Sequence, residues 1–218
     1  MSIADYGFAI WETFYVTVLS TAFALVLGLP LGVLLVAGDK DGIQPLPGWL
    51  MHILNIVINI LRSVPFLILM ICVFPLTRAI VGTTVGTKAT IVPLVVAAFP
   101  FVARLVETSL RELDEGVVEA AQSMGATPFQ IITKVMIPEC LPGLISSMTT
   151  ALTTILGYSA MSGVIGGGGL GKIALSYGYY RYQTDIMIVC VILLVLMVQV
   201  FQSAGTFWAT RSDKRLRK

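Results

Sequence analysis

The sequence predicts an all-α integral membrane protein with about five transmembrane helices. Three observations carry that prediction. Of 218 residues, 56% are hydrophobic and 12% charged, with a mean hydropathy of +0.90; a soluble domain carries about 25% charged residues and has nowhere to hide so much apolar surface. A span needs about 20 apolar residues, and segments 14–36, 53–74, 89–106, 144–165 and 186–207 supply them. Finally, the basic residues sort by side. An odd number of spans puts the termini on opposite faces. With the N-terminus outside, Arg78, Lys88, Lys172 and Arg181 fall outside, Arg62 falls within a span, and the remaining Lys and Arg are cytoplasmic, as the positive-inside rule requires.

The chain reads as a single membrane domain. Residues 1–5 carry no positive side chain and the apolar run after them is too long for a cleaved signal, so the first span is read as retained. A net charge of +2 does not suggest nucleic acid. Cys72, Cys140 and Cys190 fit neither a disulfide nor a metal pattern and read as small core residues.

The first span contains Gly28-Leu29-Pro30-Leu31-Gly32. Glycines four apart let a neighbouring helix approach closely, and Pro30 is tolerated only where a neighbour satisfies the freed carbonyl. In the second span Asn55, Asn59 and Arg62 recur at helical spacing on one face, followed by Ser63-Val64-Pro65. An arginine within a span is costly and faces protein or water. It marks a translocation path, or it is a structural partner or snorkels to the inner surface. The third span holds Pro93 and Pro100, then Arg104, Glu107 and Arg111; Glu107 and Arg111 can pair at i,i+4 and position the exit from the membrane.

The fourth span is unusually polar, with Ser146, Thr150, Thr153 and Gly157 at helical spacing. Hydroxyls and small residues either pack helices or line a path. The run from Gly157 to Gly163 is expected to loosen the helix, with Tyr158, Ser159, Met161 and Ser162 lining the path and Met161 as a soft, gap-filling plug. Gly166 to Lys172 fits the spacing G-x-x-x-x-G-K, but Ile173 stands where Ser or Thr would bind magnesium, and no strand precedes it. The run is read as a flexible external turn. Tyr177, Tyr179, Tyr180 and Tyr182 then suit the outer interface or a docking surface.

Between the third and fourth spans lies a polar loop, 107–140. Residues 113–124 form a helix that Gly125 caps, since glycine takes a positive φ cheaply. Thr127 as N-cap and Pro128 at the first position start a second helix, with Ile131, Ile132, Val135 and Met136 on its apolar face; Pro138 and Pro142 end it. A helix–turn–helix tethered to the membrane at both ends suits docking to a soluble partner, not chemistry.

Within this loop, Glu119-Ala120-Ala121, then Gly125 three residues on, then Val135-x-Ile137-Pro138 nine residues further, resembles the signature loop of membrane subunits of bacterial ABC importers. Val135 and Ile137 replace that pattern's Ile and Leu and keep its apolar character. Arg62-Ser63-Val64-Pro65-Phe66, Val92-Pro93-Leu94 with Phe99-Pro100-Phe101, and the run from Gly157 to Gly163 look like the methionine-uptake branch, as does the short five-span layout. The resemblance implies a type I ABC importer permease fold in the bacterial inner membrane, a homodimer with its path on the two-fold axis, and a lipid-anchored binding protein delivering methionine. It also implies a separate ATPase subunit, holding ATP and magnesium, that docks on Glu119, Ala120, Ala121, Gly125 and Pro138; no cofactor is expected on this chain. The rivals are an importer permease for another small solute (a polar amino acid, phosphonate or sulfonate), an intramembrane enzyme, and a gated channel. The enzyme lacks paired acids or a Ser/His pair within the spans, and the channel has no use for a docking loop.

Overall fold

The computed structural model describes residues 2–213; Lys214, Arg215, Arg217 and Lys218, which carry much of the predicted cytoplasmic charge, lie outside the described residues. Every regular element among those described is helical: α1 (Ile3–Ala37), α2 (Gly48–Ser63), α3 (Phe66–Cys72), α4 (Phe74–Val81), α5 (Ile91–Arg111), α6 (Glu115–Ser123), α7 (Pro128–Ile131), α8 (Ile137–Glu139), α9 (Leu141–Met161), α10 (Gly169–Ile173) and α11 (Thr184–Ser212). Helices α1, α5, α9 and α11 are each long and apolar enough to cross a membrane. The pair α2 and α3 makes a fifth, broken candidate.

Helix α1 starts well before the first predicted span. Ser2 accepts from the Asp5 amide while Asp5 accepts from the Ser2 amide, a reciprocal box that satisfies two orphan donors. Its buried face is built from small residues, Thr13, Thr17, Ser20, Thr21, Ala24, Gly28 and Gly32. The paired glycines do what their spacing predicts. A Cβ on Gly28 would sit 2.8 Å from the Phe99 carbonyl oxygen, and one on Gly32 2.6 Å from that of Ala103. Only glycine lets α1 lie this close to α5. The core follows from that contact: Leu94, Val102 and Val106 of α5 and Ala151 and Ile155 of α9 are fully enclosed with Ala24. Helix α11 is the outlier, with 6% of its most apolar window buried, as suits a helix facing lipid.

Four expectations are corrected. The second span, 53–74, is not one helix: α2 and α3 meet at 109°. Val64 precedes a proline and is extended, φ −75° and ψ 127°, because the proline ring disfavours the helical conformation of the residue before it. The fourth helix does not loosen at Gly157. It runs on to Met161 and tightens into a 3₁₀ turn over Ser162–Ile165, ending at Gly166 with φ +78°. Nor is the glycine-rich run loose, since Gly169 and Leu170 are buried. The Gly169 amide donates to Glu12 (2.9 Å) and the Leu170 amide to Thr13 Oγ1 (2.9 Å), both on α1, while Thr87 also donates to Glu12. Finally, Cys72 is exposed, whereas Cys140 and Cys190 are buried as expected.

Candidate functional site

The docking element forms from local signals. Asp114 caps α6, its side chain accepting from the Gly116 amide at 2.8 Å, and Glu115 sits in the first turn, where a negative charge favours the helix dipole. Gly125 ends the segment with φ +78°. Thr127 and Gln130 then make a capping box, with Pro128 at the first position of α7. Glu119 and Ala120 face outward while Ala121 is 4% exposed and enters the core, so the alanine pair is split between faces rather than sharing one. Ile131 and Met136 anchor the second helix.

The second helix runs past Pro138 and stops at Glu139, between Pro138 and Pro142, as expected. Residues 132–136 widen into a π turn, and Pro138 lies within the short α8 that follows. A proline removes one backbone donor and crowds the preceding turn; the widened turn absorbs both. Pro142 then opens α9. A bend at Cys140 separates α8 from α9, so the path from the docking element into the membrane is helical on either side of one non-helical residue.

Beside α6 lies a cleft of about 590 Å3, walled by Asp39, Gly42, Arg111, Glu119 and Gln122 among others. The inner loop at Asp39, which contributes nothing to the charge bias, therefore forms one of its walls. Arg111 donates to Asp39 at 2.8 Å and to Glu107 at 3.1 Å, so the predicted Glu107–Arg111 pair forms and gains a third member. The Arg111 guanidinium beside Asp39 holds that carboxyl below its usual range, helped by the Lys40 amide. Glu107 also accepts from Arg104 at 2.6 Å. Arg104 reaches across to α2, donating to Asn55 Oδ1 at 2.6 Å and Asn59 Oδ1 at 3.2 Å. A hydrogen-bonded chain thus runs from the docking cleft to the lower half of α2.

That chain takes Asn55 and Asn59 away from Arg62. Spacing puts all three on one helix, but the two asparagines serve Arg104 of another. Arg62 is exposed on the last turn of α2 and has no hydrogen-bond or ion-pair partner among the described residues. It lines a cleft of about 250 Å3 with Val64, Phe66, Phe101 and Tyr158. Tyr158 stacks on Phe66 with ring centroids 4.7 Å apart and planes 6° apart.

The other predicted path residues separate. Ser146, Thr150, Gly157 and Met161 lie exposed along α9. The Thr150 hydroxyl donates back to the Ser146 carbonyl at 3.1 Å, which satisfies a polar side chain within its own helix. Ser159 and Ser162 are buried and donate to the carbonyls of Leu156 and Ser159. Sequence reasoning missed Glu12 and Thr87. The two are 75 residues apart, and nothing local links them.

This arrangement has known counterparts. Residues 28–218 match the family described as binding-protein-dependent transport system inner membrane component. The chain is 51% identical over 208 residues to the probable D-methionine transport system permease protein of Vibrio cholerae, covering 95% of this chain and 92% of that one. It is 48% identical over 154 residues to the D-methionine transport system permease protein of Escherichia coli K12, covering 71% and 70%. A chain of the methionine ABC transporter MetNI in inward-facing conformations superposes with a TM-score of 0.95 at 43% identity, over 98% of this chain and 100% of that one. An amino acid ABC transporter at 18% identity shares the fold, with a TM-score of 0.78. The chain therefore belongs to the binding-protein-dependent transport system inner membrane components, as a permease subunit of an ABC importer.

Proposed function

We propose that the chain carries methionine across the inner membrane as the permease half of an ATP-driven importer. The observation that carries this reading is identity of about half the residues with a D-methionine permease across 95% of the chain. On this reading the N-terminus lies outside and the C-terminus in the cytoplasm. Two copies enclose the path, and a separate ATPase seats Glu119, Ala120, Ala121 and Gly125. Pro138 lies on the helical link behind them. A lipid-anchored binding protein delivers solute from outside, and lipid covers α11. ATP and magnesium act on the ATPase alone.

The physics is that of a lever. ATP closes the ATPase pair, and α6 moves with its groove as a rigid body. ATP shifts the inward–outward equilibrium only through unequal affinity for the two states. The short link from α7 to α9, with Cys140 as its one non-helical residue, supports this reading, because a long loop would absorb the motion. In the path we place Arg62 and Tyr158 at the cleft wall and Met161 as the plug on the exposed face of α9. Asn55 and Asn59 support the wall through Arg104, and Ser159 and Ser162 hold the α9 turn behind it.

The test is uptake of labelled methionine by cells lacking their own methionine import, supplied with this chain, its ATPase and its binding protein. Uptake competed by methionine and not by sulfonates, phosphonates or polar amino acids is the expected result. Uptake competed by one of those instead reassigns the solute and leaves the importer class intact.

A further inference from the structure

Arg62 stands out because nothing pays for it. Helix α2 begins at Gly48, so Arg62 lies about 21 Å along it at 1.5 Å per residue. It shares its cleft with Ala97 and Phe101, which sit at the middle of α5 (Ile91–Arg111). The guanidinium is therefore well inside a hydrocarbon layer about 30 Å thick, not at its inner edge. A charge there is expensive in lipid and settles against protein or water. The protein supplies no partner among the described residues. A neighbouring arginine shows what pairing looks like: Arg104 holds Asn55, Asn59 and Glu107.

The opposite wall is aromatic. The proline joint brings Phe66 under Tyr158 in a parallel stack, and Phe101 adds a third ring to the cleft. A stacked pair offers ring faces and edges, which attract a cation over the face and a thioether at the edge. At about 250 Å3, against about 30 Å3 for a water in the liquid, the cleft has room for a small solute and not for a sugar chain.

We propose that this cleft is a transient binding site within the membrane for a free α-amino acid with an apolar side chain, whose carboxylate is held by Arg62 and whose side chain lies on Phe66 and Tyr158. The identification of that amino acid as methionine rests on the function proposed above. The site is shallow, which suits a step that must release its solute.

The test uses the chain in complex with its ATPase in vesicles, in a Cys72→Ser background so that the exposed native thiol is silent, with Ala97→Cys as reporter inside the cleft. The rate of labelling by a water-soluble maleimide is read with and without methionine. Methionine is expected to slow labelling at least fivefold. Methionine amide, which lacks the carboxylate, leaves the rate unchanged. Arg62→Gln abolishes the protection, and Arg62→Lys, which keeps the charge as a simple ammonium, retains part of it and shows that the variants fold. Equal protection in Arg62→Gln, or equal protection by the amide, overturns the site. So does a reporter that methionine never protects, the result expected if Arg62 pairs with the second copy. Methionine uptake by the reporter complex supplied with its binding protein, measured in parallel, separates the two readings: uptake without protection removes the site alone, whereas absence of uptake removes the methionine assignment.

Discussion

Arg104 reaches Asn59, one turn of α2 before Arg62, and the protein treats the two arginines in opposite ways. Arg104 is held by three partners. Its side chain is 20% exposed, and that of Glu107, its partner at 2.6 Å, is 12% exposed. Asn55 and Asn59 both accept from Arg104 Nη2, and the chain extends from Glu107 through Arg111 to Asp39 at the cleft beside α6. Arg62 is bare, against aromatic rings. A polar group that transmits force must be held from several sides, because an unsatisfied buried charge is costly and a loose one carries no displacement. A polar group that meets a moving solute must be left unheld, since every internal partner competes with the solute. The lower region is tied together from several sides, and Arg62 in the upper region has no partner among the described residues.

Each variant below separates the two regions. The largest effect is expected at the docking face proposed above. Glu119→Lys reverses the charge on an exposed position of α6 and is expected to cut methionine uptake at least tenfold while the chain still inserts; unchanged uptake removes Glu119 from the docking face. Next is the contrast between the arginines themselves. Arg104→Gln removes the Asn55, Asn59 and Glu107 contacts and leaves Glu107 to Arg111 alone; it should cost about 1–3 kcal/mol of stability, read as a lowered thermal midpoint in detergent. Arg62→Gln should leave that midpoint unchanged and impair only uptake. If both variants melt alike, the contrast between the regions fails.

Met161→Ala probes the open side of α9, where Met161 is 46% exposed. It is expected to raise solute leak or basal ATPase activity about twofold, at no cost in stability; wild-type values for both remove it from the gate. The smallest effect is at the end of the chain of polar contacts. Asp39 and Arg111 pair with side chains 38% and 49% exposed, where a pair contributes about 0.2–1 kcal/mol. The folded Asp39 carboxyl titrates below its usual range because Arg111 holds it. Its contribution is therefore present above the unfolded carboxylate value of about 3.9 and lost as pH falls through the lower folded value. The difference in thermal midpoint between the wild type and Asp39→Asn should be constant from pH 7 to 5 and shrink below about pH 4. A difference that already shrinks between pH 7 and 5 means the pair does not hold Asp39.

Much of the site was legible locally. The caps at Thr127 and Gly125 and the apolar anchors Ile131 and Met136 depend on residues within one or two turns, and they formed as the pattern predicts. Gly28 and Gly32 announced a close approach, though not that α5 would be the helix approaching. The proline at position 65 was visible, but a proline states that a helix is disturbed, not by how much. Pro30 and Pro100 lie inside intact helices, whereas at Pro65 the chain turns by 109°.

By itself, then, the sequence determined the helical class, the four long apolar helices and the caps, all of which are properties of neighbours along the chain. The tertiary structure alone decided that Asn55 and Asn59 belong to Arg104, that Glu12 closes the glycine-rich turn, and that Arg62 is left facing Phe66 and Tyr158. Those pairings join residues 45 to 157 positions apart or depend on one bend angle. Helical periodicity says which residues share a face, but which face meets which neighbour is chosen by packing, and packing is a property of the whole chain.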